Sequence, residues 1–265
     1  MSETDWWKTM FDDKYLDTYL HTLTPERTTS EVDYIINAAQ LDPSETILDL
    51  ACGHGRHAIE LSRRGYSQIT GLDYSGTFID KAIADAEQAG ANIHFMLGDM
   101  KDLPFDGQFD TVLLLFTAFG YFDDETNRSV LKQVNKTLKP GGKFFIDVMS
   151  AEAASERFTT QGILDEATGT LRIDRQADMG DHVVDESEWY DTDKQIVHSH
   201  REWQDNGEKK EYDFWLHVYT KSQYQEMLSE AGFEVVSIDA EDDYKERPAN
   251  APAKNRTAIL AKKIS

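Results

Sequence analysis

Three aspartates and two glycines carry the chemistry that the sequence offers most clearly. Asp49 stands four residues ahead of Gly53-His54-Gly55, Asp73 follows Gly53 by 20 residues, and Asp99 closes the stretch "MLGDM". A glycine pair at a strand-to-helix turn lets the backbone bend sharply and approach a ligand, and the helix that follows presents free N–H groups at the positive end of its dipole. With Ala58 the turn fits the G-x-G-x-x-G/A fingerprint of dinucleotide-binding folds. Alone this signal is weak, because a tight turn without a ligand satisfies it equally well. The acids add direction. A carboxylate at Asp49 suits a cationic or amino group better than a pyrophosphate. Asp73 stands where an acid grips both ribose hydroxyls, and Asp99 is placed to accept from an exocyclic adenine amine.

These groups meet only if regular elements bring them to one edge. Apolar patterning predicts strands at 46–50, 68–72, 92–97, 109–116 and 143–149, alternating with helices at 55–64, 76–89 and 124–138. Such alternation means βαβ units, hence a parallel sheet with helices on both faces, and all three acids fall at carboxyl ends of its strands. Ahead of it, residues 4–20 repeat apolar positions at helical spacing, and Thr28 with Glu31 reads as a capping box opening a second helix that reaches Ala39. Between about Ala151 and Tyr219 apolar and polar residues alternate, with turn signals at 179–181, 191–193 and 206–207, which predicts an inserted antiparallel meander. A helix at 221–231 and strands at 233–238 and 256–261 complete the α/β unit, with 241–255 read as a mobile loop. The expected division is a helical lid at 1–42, an α/β domain at 43–150 and 220–265, and a β insertion at 151–219 covering the site.

Composition narrows the partners. A net charge of −22, from 49 acidic against 27 basic residues, repels phosphate backbones, so nucleic acid is not expected; solubility or salt adaptation explains the acidity more simply. The single cysteine, Cys52, excludes an internal disulfide and cysteine-based metal clusters, and reads as a small buried filler. His54 and His57 in "HGRH" lack a carboxylate and a third ligand, so no metal is expected. No run of about 18 apolar residues and no secretory leader is seen, which makes a cytoplasmic protein without membrane attachment the expectation.

The stretches "ILDLACGHG", "GLDYS", "LGDM", "FDTVLLLFTAFGYF", "LKPGGKFFID" and "LSEAGFEVV", in this order, resemble class I S-adenosylmethionine-dependent methyltransferases. The resemblance spans roughly Thr46 to Met149 and resumes near Lys221. It implies a Rossmann-like seven-stranded sheet whose last strand is antiparallel, and S-adenosylmethionine as cofactor. Carried over, it puts Asp49, Ala51, Gly53 and Gly55 on the methionine part, Asp73 on the ribose and Tyr74 on adenine or ribose. Asp99 and Met100 fall on the adenine, and Phe116 beside the sulfonium. Arg56 stands where a small or polar residue is often found; it either reaches the cofactor carboxylate or is a solvated helix residue, the latter being the simpler expectation. The layout, with N-terminal helices and a strand-rich insertion, is similar to some small-molecule N-methyltransferases.

The resemblance does not identify the acceptor. Transfer to an N or O atom of a small molecule is an in-line displacement at an already activated carbon, so alignment and exclusion of water supply most of the catalysis. An amine needs a neutral lone pair, whereas a hydroxyl wants a base such as His217 or a tyrosinate. Candidate pocket residues are Tyr15, Tyr19, Phe119, Tyr121, Arg201, Trp203, His217 and Tyr219, while Trp6, Trp7 and Phe11 read as core. Two other functions use the same loop: a non-catalytic S-adenosylmethionine-binding module, and an NAD-dependent oxidoreductase, which Asp49 and Asp99 fit less well.

Overall fold

The alternating apolar strands form a seven-stranded sheet because each has two faces to bury. The computed structural model describes residues 5–12, 15–16, 20, 22–178, 182–205, 207–240 and 256–264. Strands β1 (Ile47–Leu50), β2 (Ile69–Asp73), β3 (His94–Leu97), β4 (Phe109–Leu114), β5 (Leu138–Val148), β11 (Phe233–Ala240) and β12 (Thr257–Lys263) lie in the order β11-β12-β5-β4-β1-β2-β3. The β1–β2, β2–β3, β1–β4 and β4–β5 pairs are parallel, and β12 runs antiparallel to both β5 and β11. Alternate residues serve opposite faces: Leu48, Leu50, Val112, Leu114 and Phe144 join one core, Ile47, Leu113, Phe145 and Leu260 the other. Each such side chain contributes about 1.5–3 kcal/mol on burial, so the sheet is anchored through its middle strands.

Helices α3 (Arg56–Arg63), α4 (Gly76–Ala89), α5 (Asp124–Thr137) and α7 (Lys221–Glu230) cover the sheet, close to their expected bounds. Two N-terminal expectations change. The helix expected over residues 4–20 is interrupted: α1 spans Trp7–Met10, Phe11 leaves helical geometry at φ −86°, ψ 66°, and Tyr15, Leu16 and Leu20 are helical again. The second helix, α2 (Pro25–Ala38), is capped by Thr24, whose side chain accepts from the Arg27 N–H, with Pro25 at the first helical position. Thr28 and Glu31 therefore lie inside α2 and are buried.

The insertion opens with an unexpected helix, α6 (Ala151–Gln161), before the meander β6 (Ile163–Asp165), β7 (Thr170–Asp178), β8 (Val183–Asp191), β9 (Ile196–Asp205) and β10 (Glu208–His217). These five strands form a second, antiparallel sheet in sequence order. Its neck is closed where Ala151 N–H donates to the Tyr219 carbonyl at 2.8 Å, so the insertion leaves and rejoins at one point. The turn at 179–181, Asn206 and the expected loop at 241–255 lie outside the described residues. Among the described residues no helix is long and apolar enough to cross a membrane.

Candidate active site

Chain order reverses between β1 and β4, which leaves a crevice at their carboxyl ends. There a single cavity of about 350 Å³ extends from the glycine loop to the second sheet. Asp49, on β1, is 1% exposed, and its Oδ2 is buried without a hydrogen-bond partner. Burial pushes its carboxyl up to about 7; Arg56 pulls against this and Asp73 adds to it. Asp73, the last residue of β2, accepts from Gly53 N–H at 2.8 Å and from Ser75 N–H at 2.9 Å. The 20-residue spacing thus has a structural meaning, since the acid at one strand end ties down the glycine loop of its neighbour. Burial raises the Asp73 carboxyl against these donors. Asp99 accepts from Lys101 N–H at 2.9 Å and lies 3.5 Å from Lys101 Nζ.

Ala51, Gly53, Tyr74, Met100 and Phe116 line the cavity together with the three acids. Gly55 does not. It is the N-cap of α3 at φ 77°, and a Cβ there would meet the Phe95 ring at 2.7 Å and Ala82 Cβ at 3.0 Å, so it serves the packing of helix on strand.

Arg56 is not a solvated helix residue. Its side chain is buried against the cavity, with Nη1 2.5 Å from Glu31 Oε2 and 3.1 Å from Thr28 Oγ1, while Nη2 is buried without a hydrogen-bond partner. His54 and His57, also lining the cavity, are pushed down to about 4 by burial and by Arg56, so both rings are neutral near pH 7. An unpartnered carboxylate oxygen and an unpartnered guanidinium N–H in one cavity complement an ammonium and a carboxylate on the same ligand.

The other half of the cavity is aromatic. Trp6, Phe11 and Tyr15 of the N-terminal segment, Tyr121 and Phe122 beyond β4, and Phe214 of β10 line it. Trp6 meets Tyr121 edge-on at 4.9 Å and Phe214 at 5.6 Å between ring centroids. Trp6 and Trp7 are therefore buried over the site and not in the sheet's core. Burial raises the Tyr15 and Tyr121 phenols, which stay protonated. The insertion adds Arg201, paired with Glu186 and set over the Phe214 ring at 4.9 Å, and Glu188, paired with Arg157.

Of the acceptor candidates, Tyr15, Tyr121 and Arg201 meet in this cavity. Phe119 is packed in the core against Tyr219 and Tyr224, because the turn after β4 sends it inward. Tyr219 is buried with it, its hydroxyl accepting from Asn127 at 2.9 Å. Trp203 packs between His182 and Tyr212. His217 ends β10, its backbone N–H on the Gly120 carbonyl, and is not among the residues that line the cavity. Tyr19 lies outside the described residues. Glu188 was not legible as a lining residue, since alternation along a strand gives a face but not what that face covers.

Residues 47–142 match the family model of a methyltransferase domain. This stretch carries a methyltransferase domain, and the chain has the fold of solved methyltransferases. YqeM of Bacillus subtilis (strain 168), named as a methyltransferase, is 28% identical over 213 residues, 77% of this chain and 79% of that protein. The fold is shared with the CcbJ methyltransferase of Streptomyces caelestis, at a TM-score of 0.73 and 18% identity over 100% of both chains. The sugar N-methyltransferase KedS8 of Streptoalloteichus sp ATCC 53650 superposes at a TM-score of 0.61 and 16% identity, over 90% of this chain and 88% of that one. The family match stops short of both α2 and the insertion.

Proposed function

We propose that this methyltransferase methylates an amine nitrogen of a small molecule enclosed between the N-terminal segment and the insertion. The observation that carries this reading is the continuity of the cavity. The acids at the strand ends and the aromatic wall built by Trp6, Tyr121 and Phe214 belong to one space. Asp49 and Arg56 hold the amino-acid end of the cofactor by charge, Asp73 the ribose and Asp99 the adenine amine. When bound, the cofactor supplies a methyl group activated by its sulfonium. The aromatic residues exclude water and align the acceptor, which is where most of the rate of such a displacement arises.

Nitrogen is favoured over oxygen by the protonation states. A hydroxyl acceptor needs a base, and the phenols of Tyr15 and Tyr121 are held protonated. His54 is too weak a base, Glu188 is tied to Arg157, and His217 does not line the cavity. An amine brings its own lone pair. The N-methyltransferase KedS8 is a fold neighbour in keeping with this. The N-terminal segment is assigned the role of a cover that admits substrate and releases product.

The test is incubation with isotopically methyl-labelled cofactor and matched acceptors that differ only in carrying an amine or a hydroxyl. Mass spectrometry should find the label on nitrogen. Label found on the hydroxyl members alone would sink the proposal.

A further inference from the structure

One carboxylate, Glu31 on α2, is buried among four nitrogen groups from three separate parts of the chain. Its Oε1 accepts from Arg27 Nε at 3.0 Å and lies 3.3 Å from Arg256 Nη2; its Oε2 lies 2.5 Å from Arg56 Nη1 and 3.0 Å from His57 Nε2. Burial raises this carboxyl, but the His57 hydrogen bond and the Arg56 and Arg256 charges outweigh it and hold it well below the usual carboxylate range. The same three guanidinium groups surround one ring. Arg27, Arg56 and Arg256 lie 5.2, 5.1 and 5.0 Å from the centroid of Phe116, which lines the cavity at φ 60°. Three like charges on one ring repel unless an anion sits between them, and Glu31 reaches all three.

We propose that Glu31 is a positioning residue for cofactor binding. It fixes the guanidinium of Arg56 so that the unpartnered Nη2 is held ready for the cofactor's carboxylate. The proposal rests on the assignment of that carboxylate to Arg56. Neither Glu31 nor Arg256 lies within the matched stretch 47–142, so the cofactor's amino-acid end is completed by elements outside it. A residue that only stabilises the fold affects every ligand alike. A residue that orients Arg56 affects only ligands that carry the carboxylate.

S-adenosylhomocysteine and 5′-methylthioadenosine differ by that amino-acid end, and both are titrated calorimetrically into the full chain. Arg56→Met should weaken S-adenosylhomocysteine by about tenfold or more while leaving 5′-methylthioadenosine within about twofold. Glu31→Gln should show the same selective loss, because its amide nitrogen turns donors toward the guanidinium and imidazole donors. If Arg56→Met is selective but Glu31→Gln weakens both ligands equally, or neither, the role given to Glu31 is overturned and the carboxylate assignment stands. If Arg56→Met is itself unselective, the assignment falls and the role of Glu31 with it. Should Glu31→Gln fail to fold, Glu31→Asp keeps the charge but withdraws it by one methylene. A selective loss there supports the proposal, and an unchanged ratio of the two affinities overturns it.

Discussion

The two halves of the cavity are made in different ways. On the side proposed for the cofactor, short acids at strand ends are fixed by backbone N–H groups close by: Asp73 by Gly53 and Ser75, Asp99 by Lys101. On the acceptor side, large side chains meet from remote segments. Trp6 touches Tyr121 and Phe214, and the buried charges of Arg201 on β9 and Arg157 on α6 are matched by Glu186 and Glu188 of β8. The first half follows from topology, which places the end of every parallel strand at one edge. The second depends on packing, which can be redrawn without disturbing the sheet. One fold can thereby keep its cofactor while its acceptor changes.

The sharpest way to break this contrast is at the backbone. Gly55→Val puts a branched Cβ where φ is 77° and where the Phe95 ring stands 2.7 Å away. Left-handed geometry costs a non-glycine residue about 1–2 kcal/mol and overpacking about 1–3 kcal/mol more, so a loss of about 3 kcal/mol or more is expected. Chemical denaturation should show it, together with loss of S-adenosylhomocysteine binding. A variant as stable as its parent would mean that Phe95 yields and that the turn is less constrained than its geometry states.

This contrast also explains what was legible in the sequence. The alternation of parallel strands and helices and the placing of the three acids follow from apolar periodicity, a glycine turn and fixed spacings, whereas the antiparallel last strand is implied by the family resemblance and by no local pattern. Arg56 reads as a solvated residue because it sits in a helix that opens with polar neighbours, while the partner that buries it, Glu31, arrives from α2. Glu31 looked like a capping residue because its spacing to Thr28 is that of a capping box; only the position of Pro25 moves the cap to Thr24. Phe119 and Tyr121 are two residues apart after the same strand, yet one enters the core and the other the cavity. Nothing local separates them. The helix α6 was missed for a related reason: what marks it is the cap from the Ser150 side chain to Ala153 N–H, at the neck where a meander was already expected.

A change of pH sharpens the comparison on the cofactor side alone. Asp49 is raised by burial from an ordinary 3.8 to about 7. Its protonation therefore favours the folded, ligand-free protein at low pH, and this contribution is lost as pH rises from about 4 to about 7. A ligand ammonium needs the ionised carboxylate. Below pH 7 binding must release the proton, and affinity falls by up to about tenfold per unit; above pH 7 it levels off. S-adenosylhomocysteine should thus bind about tenfold more weakly at pH 6 than at pH 8, and its gain in melting temperature should be larger at pH 8. 5′-Methylthioadenosine, which lacks the ammonium, should show no such slope, and Asp49→Asn should flatten it for S-adenosylhomocysteine. A pH-independent affinity in the parent would place the ammonium elsewhere.

The smallest effect is expected where the two halves are joined through the N-terminal segment. Tyr212 of β10 donates its hydroxyl to the Asp12 carboxylate, at 3.1 Å from Oδ1 and 3.0 Å from Oδ2, and Ser75 Oγ donates to the Phe11 carbonyl at 2.7 Å. One tie holds the segment to the insertion, the other to the turn after β2. Burial and Asp12 raise the Tyr212 phenol, so it remains a donor across the working pH range. Tyr212→Phe removes one hydrogen bond to a charge that is only partly buried, which is worth about 0.5–1.5 kcal/mol. It leaves the Ser75 tie and the Trp6 packing in place. Tyr212 does not line the cavity, so S-adenosylhomocysteine affinity should stay within about twofold while the melting temperature drops by a few degrees. The variant thus asks whether the halves are separable. If loosening the insertion tie alone lowered cofactor affinity tenfold, the N-terminal segment would be part of the cofactor site and not only a cover for the acceptor.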